Sequence, residues 1–109
     1  GTAWSYGCDT VVTGANPCPA VISTRSNKDG SSDKVTLTRY LNAVAGAYIT
    51  VKFDTLGTVV PATTNFDRLD VDTSLLAASD SRDLRVMLNA GGSVRVCDPN
   101  AATTDPRSC

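Results

Sequence analysis

No position in this chain carries glutamate, glutamine or histidine, and all 11 acidic side chains are aspartate. That absence constrains the fold more than any motif. Glutamate and glutamine sustain helix surfaces, whereas aspartate competes for backbone hydrogen bonds and weakens helix interiors. Residues suited to a pleated surface are abundant instead, with 14 threonines and 12 valines. A helical bundle is excluded by that balance. The expectation is a mainly antiparallel β fold, either a twisted sheet or a small β-sandwich, formed as one domain over residues 1–109. A domain of this length buries roughly 60–70% of its unfolded surface, so its core is small.

The hydrophobic pattern locates the strands. Residues 1–19 are irregular, punctuated by Gly7, Gly14, Pro17 and Pro19. Residues 20–24 read as a short strand, and Asp29-Gly30 in the polar run 26–33 is a hairpin signal. In 34–40, Val35, Leu37 and Arg39 share one face, and Arg39 is expected to mark an exposed strand end. Residues 47–53 carry the cleanest alternation, with Ala47, Ile49, Val51 and Phe53 on one side. A turn at 54–57 leads into 58–60. Residues 66–78 read as strand plus loop. Residues 84–89 and 93–97 flank Ala90-Gly91-Gly92 and form a β-hairpin, with Leu84, Val86, Leu88, Val94 and Val96 inward. Residues 98–109 form a polar tail.

Cys8, Cys18, Cys97 and Cys109 lie as one local pair near each end. Four cysteines allow three connectivities. The pairing 8–18 with 97–109 closes the shortest loops at the least entropic cost. The spacings do not match zinc ligation, and no histidine is present to complete a site, so two disulfides are expected. They place the chain in an oxidising compartment: periplasm, cell surface or exterior. The charge-free stretch around 41–51 is broken by Asn42, Gly46 and Thr50, far short of the ~20 apolar residues of a membrane span. Export to such a compartment implies a targeting segment upstream of Gly1.

Few side chains suggest chemistry. Without imidazole, and without a Gly-x-Ser-x-Gly elbow, no catalytic residues are expected and the chain does not read as an enzyme. Asp67, Asp70 and Asp72, and the oxygen-rich run 27–33, lack the spacing of a calcium loop and read as solvated strand and turn residues. No metal or cofactor is expected. Trp4 and Tyr6 are read as covering a core edge beside Cys8. Arg85, Arg95 and Arg107 are candidate phosphate contacts, with Arg85 and Arg95 able to share a hairpin face. Asp80, Asp83, Asp98 and Asp105 offset them, and the net charge of −1 weighs against nucleic acid.

The C-terminal third, L-R-V-M-L-N-A-G-G-S-V-R-V-C-D-P over 84–99 and D-P-R-S-C over 105–109, resembles the tail of type IV minor pilins of the GspH/FimT family. Trp4, Tyr6, Gly7 and Cys8, and the triplet Asn65-Phe66-Asp67, are similar to it as well. The resemblance implies an α+β pilin fold: a β headgroup, seen here, packed on a long N-terminal helix lying upstream of Gly1. It implies an apolar sheet face, including Ile49, Val51, Leu84 and Val86, left open without that helix. It implies a precursor in the inner membrane facing the periplasm, and a mature protein at the pilus and cell surface. The implied partners are other major and minor pilins, in filament assembly and at the tip, as in FimU-like members. Two alternatives follow from the same family: an H-type pseudopilin of type II secretion, and a FimT-type pilin that binds DNA for transformation through Gly-Arg-x-Arg. The matching positions here are Gly92-Ser93-Val94-Arg95, where Ser93 replaces the first arginine.

Overall fold

The computed structural model describes residues 2–29 and 33–109. Among them the chain forms seven strands and no helix. Strands β1 (Trp4–Tyr6) and β2 (Ser23–Arg25) make a two-stranded sheet. Strands β3 (Val35–Leu41), β4 (Val44–Ala45), β5 (Arg68–Thr73), β6 (Leu84–Leu88) and β7 (Val94–Cys97) make a second sheet in the order β4-β3-β5-β6-β7. Every pairing is antiparallel. The fold is therefore mainly antiparallel β. The two-stranded sheet is exposed at nearly every residue, so the five-stranded sheet does not stack on it and the architecture is an open sheet rather than a sandwich.

Local chemistry explains the turns. The β6–β7 hairpin closes through Gly92, which sits at φ +86°, while Asn89 Oδ1 accepts from Ser93 N at 3.2 Å. The β3–β4 turn has φ of 50° at Asn42 and 65° at Ala43, the two left-handed residues of a type I′ hairpin. Asp67 Oδ2 accepts from Asn42 N at 3.0 Å and holds that turn against the start of β5. Between β4 and β5, Asp54 Oδ1 accepts from Leu56 N at 2.9 Å and from Thr58 N at 3.0 Å, closing the expected 54–57 turn. Val59 N then donates to Ala90 O at 3.0 Å, fastening this loop to the β6–β7 turn.

Several local expectations are corrected. Residues 47–53 form no regular strand despite their alternation. They make only isolated bridges, Thr50 with Asn65 and Phe53 with Val59. Only Tyr40 and Leu41 of β3 pair with β4, and beyond β4 the chain leaves that edge instead of continuing along it. Ile49 is 72% exposed as a result. The strand expected at 20–24 begins at Ser23, leaving Val21 and Ile22 exposed. Gly30 of the Asp29-Gly30 turn lies outside the described residues, and the strands that turn was to join, β2 and β3, belong to different sheets. Trp4 and Tyr6 are 49% and 56% exposed and stack with ring centroids 6.0 Å apart. They cover no core edge, because no layer lies behind the two-stranded sheet.

The disulfides pair Cys8 with Cys18 and Cys97 with Cys109, with Cα atoms 5.7 and 5.1 Å apart. What the domain lacks is an interior. Among the described residues only Cys97 and Asn65 are buried, at 3% and 4% exposure. The accessible surface is 7811 Å², against about 5,800 Å² for a folded monomer of this mass. The radius of gyration is 16.1 Å, where a compact chain of this length measures about 13 Å.

Candidate interaction surface

Part of the exposed apolar surface lies on one side of the five-stranded sheet. Side chains alternate along each strand, and residues opposite one another across a ladder share a face. The registers Leu37–Val71–Leu84 and Arg39–Leu69–Val86–Val96 therefore stand on one side of the five-stranded sheet. Val35 with Thr73, Leu41 with Val44, and Leu88 with Val94 extend the same side. Apart from Arg39 and Thr73, these strand positions are all leucine or valine. Among the described residues no other strand rests on them; Val44, Leu84, Val94 and Val96 are exposed, and the remaining leucines and valines are half-buried. The expectation that Leu84, Val86, Leu88, Val94 and Val96 share a face is met, but that face is open.

The open patch differs in outline from the expected one. Leu84 and Val86 belong to it, whereas Ile49 and Val51 lie on the 47–53 segment outside the sheet. At its lower end, residues 59–67 rise beside the sheet and enclose a cleft of about 670 Å³, lined in part by Leu41, Val59, Pro61, Phe66 and Leu88. Asn65 is buried in that wall. Its Nδ2 donates to Val60 O at 2.7 Å, and its Oδ1 has no partner among the described residues.

The opposite side of the sheet is polar and internally satisfied. Asp70 lies between two guanidinium groups. Arg68 Nε donates to Oδ1 at 2.8 Å and its Nη2 to Oδ2. Arg85 Nε and Nη2 donate to the same two oxygens at 2.9 and 3.2 Å. Arg68 also stacks over the Tyr40 ring, 4.0 Å from its centroid. The Arg68 hydrogen bond is the main influence holding the Asp70 carboxyl down to about 2, and Arg85 adds to it against the opposing effect of burial.

This arrangement decides what the arginines singled out by sequence can do. Arg85 and Arg95 do share the polar face, but Arg85 is committed to Asp70. Arg95 Nη2 donates to Ser108 O at 2.7 Å and tethers the tail beside the Cys97–Cys109 bridge. Arg107 lies on the tail and is held by Asp105 through bonds of 3.1 and 2.8 Å. The hydrogen bond from Arg107 is the main reason the Asp105 carboxyl sits near 2. The carboxylate balancing Arg85 is thus Asp70, rather than any of the four expected, and Asp105 balances Arg107. Asp98 and Asp83 hold Asn100 instead, at 2.9 Å each. Strand β5 sends Asp70 and Asp72 to the polar face while Asp67 turns to the other side, so the three aspartates do not converge. Among the described residues no group of three or more cysteines and aspartates is placed to hold a metal ion, and no helix is long and apolar enough to cross a membrane.

The Asp70 clamp is the feature sequence reading missed. Its only local signal is the Arg-x-Asp spacing of 68 and 70, which alternation alone places on one face. Comparison with family models, curated proteins and solved structures returns no match.

Proposed function

We propose that this chain is the headgroup of a type IV minor pilin of the GspH/FimT kind, acting in filament assembly and at the tip through protein–protein contacts. The observation that carries the reading is the open aliphatic face of the five-stranded sheet. Its four rows span about 20 Å along the strands, at about 3.4 Å per residue. An α-helix of about 14 residues covers that distance. A sheet finished on one side and open on the other is what a pilin headgroup presents when its helix is absent. The C-terminal hairpin, Cys97 and Cys109 agree with the same family pattern. The implied setting is an inner-membrane precursor facing the periplasm and a mature protein at the cell surface, beside other major and minor pilins.

The DNA-binding alternative draws less support. Arg85 and Arg107 already serve carboxylates, so a phosphate would have to displace Asp70 or Asp105. Nothing in the geometry favours an H-type pseudopilin over a FimU-like subunit. The test is the precursor sequence, followed by amide exchange on the chain with and without its native upstream segment. A long apolar helix upstream, with slowed exchange across β3, β5 and β6 when it is attached, is the expected result. A precursor lacking such a helix overturns the proposal.

A further inference from the structure

The aliphatic face contains one cation, with Asp67 the one acid at its edge. Arg39 stands in the row Arg39–Leu69–Val86–Val96, flanked along β3 by Leu37 and Leu41. It is half-buried even without a cover. Its backbone carbonyl accepts from Gly46 N at 3.1 Å, but its guanidinium makes no hydrogen bond or ion pair among the described residues. Arg68, Arg85 and Arg107, on the polar face and tail, each hold a carboxylate. The nearest acid on Arg39's own side is Asp67, which is occupied by Asn42 N. A wholly apolar cover would strip water from this guanidinium and leave it unpaired, a severe penalty for a charged group.

Resting on the proposed reading of this face as the seat of the chain's own upstream helix, we infer that this helix carries a carboxylate within its apolar stripe, and that this carboxylate pairs with Arg39. The planar fork of arginine favours such a two-bond contact. The pair would fix the register of the cover along the sheet, because aliphatic rows alone are nearly equivalent under a shift of two residues. It would also distinguish this occupant from other apolar helices.

The test uses synthetic helical peptides of about 18 residues. Each bears a leucine–alanine stripe with Glu, Gln, Lys or Leu at its centre, and the variable residue is also moved one stripe position either way. They are titrated into the isotopically labelled chain, following the amide signals of Leu37, Leu69, Val86 and Val96. The expected result is that the best Glu peptide binds at least about tenfold more tightly than its Gln, Lys and Leu counterparts. In Arg39→Leu that preference disappears and the Leu peptide binds best. Equal affinity of the Glu and Gln peptides for the unsubstituted chain overturns the inference. If that equality gives way to a Glu preference in Asp67→Asn, Asp67 is the acid that serves Arg39. If no peptide moves those signals, the docking reading fails, and the inference with it.

Discussion

Replacing Asp70 with asparagine should destabilise the domain at neutral pH and hardly affect it in strong acid. The carboxylate accepts four bonds from Arg68 and Arg85, and its two partner guanidiniums and the acid itself are each less than a quarter exposed. The hydrogen bond from Arg68, with Arg85 behind it, lowers its pKa from 3.8 to about 2. Each unit is worth about 1.4 kcal/mol, so the ceiling is roughly 2.5 kcal/mol. Water reaches part of the site, and screening reduces this to about 1–2 kcal/mol. Because the folded pKa lies below the unfolded one, this stability is present above about pH 4 and is lost as pH falls through about 2. Urea denaturation of Asp70→Asn and the unsubstituted chain at about pH 7, 4 and 2 measures the gap directly. Asp80→Asn serves as the control, since among the described residues Asp80 accepts only from Ser79 Oγ, at 3.3 Å, and pairs with no cation. A gap at neutral pH no larger than the control's, or one that stays constant down to pH 2, would refute the clamp as a stabilising element.

Other substitutions probe the turns and the tail. Ala43→Gly relieves a left-handed alanine at φ 65°; after the entropic cost of glycine it should stabilise by about 0.5–1 kcal/mol in thermal melts, and no gain would mean that the I′ turn is not populated. Gly92→Ala sets a Cβ against the Gly57 carbonyl at a positive φ; it should cost about 2–3 kcal/mol and speed exchange of the Val59 amide, and slow exchange in the variant would contradict the contact between the loop and the turn. Opening the Cys97–Cys109 bridge, which spans a sequence separation of 12, with paired serines should cost about 3 kcal/mol by loop entropy. It should also free the Arg95–Ser108 contact, seen as new flexibility in residues 98–109 by NMR.

Parts of the fold that depend on neighbours in sequence could be read directly. The β6–β7 hairpin follows from alternation around Ala90-Gly91-Gly92, and β5 follows from Leu-Asp-Val-Asp-Thr, because each records its own two faces. The cysteine pairing follows from loop length. The misreadings concern which strand finds which partner. Residues 47–53 alternate better than β5 yet form no strand, because after β4 the chain leaves the edge of β3 and meets Asn65 and Val59 only in single bridges. The β3–β4 turn escaped notice because Asn-Ala, unlike Asn-Gly, does not advertise two positive φ values. Arg39 read as a strand end because nothing within 34–40 reveals that β5, β6 and β7 continue its row. The clamp depends on Arg85, 15 residues from Asp70 in sequence and opposite it across the β5–β6 ladder, a pairing that only the register reveals.

The two sides of this sheet are completed to different degrees, and that asymmetry says more than either side alone. On the polar side every arginine has an acceptor, one of them stacks on an aromatic ring, and a disulfide anchors the returning tail. On the other side, leucine and valine fill nearly every position, yet among the described residues no strand covers them and their one arginine has no acceptor. A chain selected only to fold alone would turn those rows polar at little cost, since half-exposed valines on an open face contribute little burial. On the proposed reading they stay aliphatic because a second element completes the layer. The disulfides, the Asp70 clamp and the loop tied to the β6–β7 turn then have a common task. They hold the sheet in shape by means that do not consume the aliphatic face, so that the face stays ordered and available for whatever packs on it.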